Sequence, residues 1–206
     1  MAAEASENLM PIVSKLFCSS SLTAFVVRRR PHAINGGGLV VTDCSLQKVA
    51  FRVDGCGVLG AKGELVVRDG DGSSVLYINK KQGIIEAMSS CSKWNGHVME
   101  VDGVKEKIFR LIDSKPFFAR CNATKIYIEP KRINNKEYCF EVIGSFPQRN
   151  CIITAPKGII VAQVGLKEMN GSKDLYSVVV HPGFDQAFVI GVIAILDYLN
   201  GESTAC

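Results

Sequence analysis

Over most of this chain, bulky apolar residues recur in short runs with a period of two. Val49, Phe51 and Val53 point one way while Ala50 and Arg52 point the other, and Ile126 and Ile128 oppose Lys125, Tyr127 and Glu129. Alternation gives each strand one buried and one wet face, as in antiparallel sheets. The runs that read as strands are 24–27, 38–42, 48–53, 64–68, 75–79, 97–101, 107–112, 125–129, 138–143, 151–155, 159–164 and 175–180. Between them lie turn dipeptides: Asn35-Gly36, Asp54-Gly55, Lys62-Gly63, Asn95-Gly96, Asp102-Gly103, Lys157-Gly158 and Asn170-Gly171. Glycine accepts positive φ without a steric penalty, so such pairs favour hairpins. About twelve strands joined by tight turns predict one large antiparallel sheet that closes into a β-barrel, because closure removes the exposed edges.

The last segment changes period. After Pro182-Gly183 there is no charged side chain from Ala187 to Leu196, and Asp185 and Asn200-Gly201 supply a helix cap and stop. Phe188, Val189, Ile190, Val192, Ile193, Ile195, Leu196 and Leu199 wrap the whole helical circumference. A helix apolar all round must be surrounded all round. At roughly 22 Å it is shorter than the roughly 30 Å hydrocarbon core of a bilayer, so it predicts a buried element and not a membrane span. A barrel of about twelve strands is wide enough to hold it. The expected fold is therefore mainly β, a closed antiparallel barrel around a central hydrophobic C-terminal helix whose core face includes Phe188, Ile190, Gly191, Ile193 and Leu196. Burying about nine large apolar side chains contributes on the order of 15–25 kcal/mol before chain entropy is counted. No low-complexity linker divides the chain. Residues 1–20 read as a flexible arm and 21–206 as a single domain.

Composition changes this picture little. Of 206 residues, 47% are hydrophobic and 21% charged, with a net charge of +4, enough for one substantial core and only a mild basic bias. The N-terminus has no basic start, apolar stretch and small-residue cleavage site in series, so secretion is not expected. The eight cysteines contain no C-x-x-C pair and read as reduced thiols in a cytoplasmic setting, with a peripheral membrane or nuclear location also compatible.

Chemical motifs fail on context. Gly55-Cys56-Gly57-Val58-Leu59-Gly60 matches G-x-G-x-x-G, but strand-like residues follow it where a dinucleotide site needs a helix. Asp69-Gly70-Asp71-Gly72 lacks the later glycine and glutamate of a calcium loop and reads as an acidic hairpin turn. His32, His97 and His181 have no metal-ligand spacing, and no nucleophile elbow occurs. No catalytic residue, metal or cofactor is expected. Three basic clusters remain: Arg28-Arg29-Arg30 before a glycine-rich turn, and Lys80-Lys81 and Lys131-Arg132 at strand ends. Guanidinium forks and exposed glycine N–H groups suit phosphate oxygens. The plainer reading is solvated charge that protects strand ends from aggregation. Aromatic residues do not interleave with these clusters, so specific nucleic-acid readout is not expected.

The segments "INGGGLVVTD", "FRVDGCGVLGAKGELVVRDGDG", "EPKRINNKEYCFEVIGSFPQR", "IIVAQVGLKE" and "VVVHPGFDQAFVIGVIAILDYLNGES" together resemble the plant LURP-one-related family. The resemblance runs from Phe25 to Cys206. It implies a fold similar to the tubby C-terminal domain and to phospholipid scramblases: a twelve-stranded barrel around a central apolar helix. It implies no catalytic chemistry. Tubby domains bind phosphoinositides through basic residues and tether transcription regulators to membranes, and the family's naming member is linked to plant defence. The expected function is thus a non-enzymatic module, monomeric, that binds a phosphoinositide or anionic membrane surface in defence. The alternative is a protein-interaction scaffold in stress or defence signalling, with an unidentified protein partner and no lipid.

Overall fold

The computed structural model describes residues 9–31, 37–55, 61–81, 91–99, 105–114, 124–129, 138–166, 174–201 and 204–205. Twelve strands follow one another: β1 (Thr23–Arg30), β2 (Gly38–Asp43), β3 (Val49–Asp54), β4 (Glu64–Asp69), β5 (Ser74–Lys80), β6 (Cys91–Met99), β7 (Lys105–Ser114), β8 (Thr124–Ile128), β9 (Tyr138–Ser145), β10 (Asn150–Ala155), β11 (Ile159–Leu166) and β12 (Leu175–Val180). Each pairs antiparallel with the next, and β12 returns to β1 with Thr23 opposite Val180 and Arg28 opposite Leu175. The barrel is closed, as the turn-punctuated alternation predicts.

One helix, α1 (Gln186–Leu199), fills it. Asp185 caps its N-terminus by accepting from the Phe188 amide, and every residue from Ala187 to Asp197 is buried. The expected core residues Phe188, Ile190, Gly191, Ile193 and Leu196 are all among them. Helix and wall are matched unevenly. A Cβ on Gly191 would overlap Leu76 of β5, so the glycine lets α1 lie close to that wall. Across the interior, the Phe188 ring meets Phe109 of β7 at 5.4 Å and Phe140 of β9 at 5.2 Å, and these aromatics occupy the wider gap. Phe25, Leu39, Val53, Leu65, Ile126 and Val178 complete the inward-facing set.

Two expectations need correction. Asn95-Gly96 is no turn. Strand β6 runs through it, paired with Arg110 and Phe109 of β7, because the Phe109 ring occupies the space a Cβ on residue 96 would need. The glycine serves the interior, and a register shift follows it between Gly96 and His97. The N-terminal segment, read as a flexible arm over residues 1–20, packs on the barrel at several of its described positions, although Leu16 stays exposed. Met10 N donates to Gly183 O at 2.8 Å, Ile12 is 1% exposed, and the Phe17 ring lies 5.6 Å from Phe51. Asp185 Oδ2 accepts from the amides of Ile12, Val13 and Ser14 at 3.0, 2.7 and 3.0 Å, while its Oδ1 caps α1. One carboxylate thus ties this strap to the helix. Burial raises its pKa, and the four amide donors pull the other way.

The Leu199 end of the barrel is closed by buried charge. Asp197, fully buried, accepts from Arg29 Nε at 3.3 Å and from Thr204 N and Oγ1 at 2.7 and 2.9 Å. Beside it the Arg149 guanidinium is stacked between the Phe146 and Tyr176 rings at 4.5 and 4.3 Å. Among the described residues, no helix is long and apolar enough to cross a membrane.

Candidate anion-binding face

Strand alternation separates the three consecutive arginines. On β1, Phe25 and Val27 face the core, so Arg29 turns inward, where it pairs with Asp197 and, at 3.1 Å, with Asp174. Arg28 and Arg30 turn outward. Arg29 is thereby committed to closing the barrel end.

The register then brings in residues from other strands. Arg28 lies opposite Val40 on β2, Val40 opposite Arg52 on β3, and Arg52 opposite Arg68 on β4. One row up, Arg30 is opposite Gly38 and Gly38 opposite Asp54. With strands about 4.8 Å apart, Arg28, Arg52 and Arg68 span roughly 15 Å of outer wall. This wall carries four arginines, 28, 30, 52 and 68, against two outward carboxylates on the same strands, Asp54 and Glu64.

These arginines are not equivalent. Asp54 accepts from Arg30 Nη2 at 3.0 Å and from Arg68 Nε at 2.7 Å. Arg30 also donates to Val53 O at 2.9 Å, and Arg68 Nη1 to Ser74 Oγ at 2.7 Å. These two guanidinium groups are therefore held in place against the wall. Arg28 and Arg52 are exposed, and among the described residues neither has a carboxylate partner. Arg52 faces Arg68 directly across the ladder, a like-charge pairing that the Asp54 carboxylate on Arg68 offsets in part. To one side the wall is flat, since β11 and β12 present Gly165 and Ser177, with Ser177 Oγ donating to Gly165 O at 3.1 Å.

The other expected sites lie elsewhere. Lys80 and Lys81 stand at the end of β5, four strands from β1 and at the same barrel end as Arg30, with Lys80 N donating to Gly63 O at 2.7 Å. Lys80 falls on the inward-facing set with Leu76 and Ile78. Lys131 and Arg132 lie outside the described residues; the flanking ends of β8 and β9 are at the opposite, Asp185 end of the barrel. The sequence clusters thus do not form one patch among the described residues. The patch that does form draws on Arg52 and Arg68, which are not among the basic clusters read from the sequence. The available signal was the outward phase of Arg52 against Phe51 and Val53.

Other chemistry can be placed. Asp69-Gly70-Asp71-Gly72 is the acidic hairpin expected, with Asp69 Oδ1 accepting from the amides of Asp71 and Ser73 at 3.1 and 2.8 Å. Of the G-x-G-x-x-G stretch, residues 56–60 lie outside the described residues. Among the described residues, no group of three His, Cys, Asp or Glu side chains is arranged to hold a metal.

A closed up-and-down barrel threaded by its own C-terminal helix defines the class of protein. Residues 23–197 match the family model described as LURP-one-related. The chain belongs to that family. It is 49% identical over 196 residues to Protein LURP-one-related 6 of Arabidopsis thaliana, covering 95% of this chain and 98% of that one. It is 44% identical over 216 residues to Protein LURP-one-related 16 of the same plant, covering all of both. An X-ray structure of an Arabidopsis thaliana protein shares the fold, with a TM-score of 0.63 at 22% identity over 92% of this chain and 98% of that one.

Proposed function

We propose that this protein is a non-enzymatic adaptor whose outer arginine wall docks on the anionic face of a membrane, with phosphoinositide headgroups as the strongest ligands, in plant defence signalling. The observation that carries this reading is the pair of exposed arginines, Arg28 and Arg52, which have no carboxylate partner among the described residues and share a row of the sheet with Arg68. A carboxylate-anchored pair (Arg30 and Arg68 on Asp54) stands beside two guanidinium groups without a carboxylate partner among the described residues. Such a wall offers forked donors to several phosphates at once, without a deep pocket. Binding is then peripheral, and α1 stays inside the barrel.

Sedimentation with vesicles of phosphatidylcholine, phosphatidylcholine with phosphatidylserine, and the same with a phosphoinositide tests it. Binding is expected to rise across that series and to weaken between 50 and 500 mM salt, since exposed charges are screened. Equal and negligible binding to all three at low salt would overturn the reading.

A further inference from the structure

At the Asp185 end, on a different part of the surface, a groove of about 500 Å³ opens between the strap and the β2–β3 turn. Its floor is hydroxyl-rich. Ser19 and Ser21 share a hydrogen bond at 3.1 Å, and Gln186 Nε2 donates to Thr23 Oγ1 at 3.0 Å. Leu22 and Leu46 form its apolar rim and are 57% and 67% exposed. Among the described residues that line it, Asp43 is the one charged side chain, 9% exposed.

Asp43 is half satisfied. Its Oδ1 accepts from Ser45 N at 2.7 Å, Ser45 Oγ at 2.6 Å and Leu46 N at 3.0 Å. Its Oδ2 has no hydrogen-bond partner and no cation pairs with it among the described residues. Burial opposes ionisation here, but the three bonds to Oδ1 outweigh it and hold the carboxyl below the usual range. Oδ2 is not among the buried atoms that lack a partner, so it meets solvent in the groove, where it offers a docking cation an acceptor and a negative charge.

We infer that this groove is a docking site for a partner protein's lysine or arginine flanked by aliphatic residues. The cation takes Asp43 Oδ2, its remaining N–H groups find the hydroxyl oxygens, and its stem and neighbours cover Leu22 and Leu46. The exposed leucines alone would fit a bilayer as well. The carboxylate decides against that, because it repels an anionic lipid surface. The volume, within the range of about 300–1,000 Å³ that takes small ligands, admits one anchoring side chain and its neighbours, not a helix. The inference stands independently of the arginine wall.

The test uses the full chain, ¹⁵N-labelled, and two probes: acetyl-Leu-Lys-Leu-amide and its norleucine counterpart. The lysine peptide should give saturable shifts at Ser21, Leu22, Ser45 and Leu46, with the norleucine peptide at least fivefold weaker. Asp43→Asn keeps the Oδ1 acceptor for the turn and removes the charge, so it should lose the difference between the peptides. Leu46→Ser, at an exposed position, should weaken both probes about threefold and guards against a folding artefact at residue 43. Equal shifts from the two peptides, retained discrimination in Asp43→Asn, or no saturation up to about 10 mM would overturn the inference. So would shifts at Leu22 and Leu46 produced only by phosphatidylserine vesicles, which would assign the rim to a bilayer.

Discussion

Arg52 shows what a single residue means before and after its neighbours are known. In sequence it is one outward position on an alternating strand. In the barrel it faces Arg68 across the ladder, in the same row as Arg28. Its phase was legible, but its partners were not, because they lie 16 and 24 positions away and only register unites them. The converse holds for Arg29. Three adjacent arginines read as one cluster, yet alternation sends the middle one to Asp197 in the interior. Residue chemistry also answers for the cysteines. Burial, with the nearby Asp185 carboxylate adding to it, pushes the Cys18 thiol up to about 11, although the side chain is only partly covered. Thiolate is the reactive form, so Cys18 carries about a thousandth of it at pH 8; with the greater nucleophilicity of a more basic thiolate offsetting part of that, it should alkylate with iodoacetamide about tenfold slower than an unperturbed thiol. The rate should climb as pH approaches 11. Rapid labelling of Cys18 at pH 8 in the folded protein would contradict this environment.

Among elements, the strands and α1 were legible because period and punctuation agree: alternation between turn pairs, then a capped, uniformly apolar run. Asn95-Gly96 was misread for a physical reason. A glycine that frees φ and a glycine that makes room for a ring look alike in sequence, and the Phe109 ring that uses the space sits 13 positions on. The strap was missed because its anchor is remote. Nothing local marks 10–18 as bound, since three of its amides are satisfied by Asp185, more than 170 positions away. Asp185→Ala would leave those amides and that of Phe188 without their acceptor. Losing a cap and leaving buried donors unpaired should cost about 2–4 kcal/mol. Denaturant unfolding measures that cost, and amide exchange at Ile12–Ser14 should accelerate more than exchange at α1. Unchanged stability and exchange would show that the strap is not held by this carboxylate.

For the molecule as a whole, closure and filling explain why its functions are sought on the outside. The interior is occupied by α1, whose segment Ala187–Leu196 is buried throughout, so the run most like a membrane anchor is the one kept from any membrane. The outer surface is left with two faces of opposite character. One is a flat wall of arginines near the Leu199 end, and the other is a hydroxyl-lined groove with one carboxylate at the Asp185 end. The adaptor role proposed above calls for two such faces, one toward phosphate and one toward a protein. The most direct test of the central claim compares two double variants in partitioning to phosphoinositide-containing vesicles at fixed low salt. Each arginine at an anionic surface contributes about 1 kcal/mol, so Arg28→Ser with Arg52→Ser should weaken partitioning about thirtyfold. Lys80→Ser with Lys81→Ser, off the wall, should stay within about threefold of the parent at the same scale of error. If the lysine pair carries the loss and the arginine pair does not, the arginine wall is not the docking face.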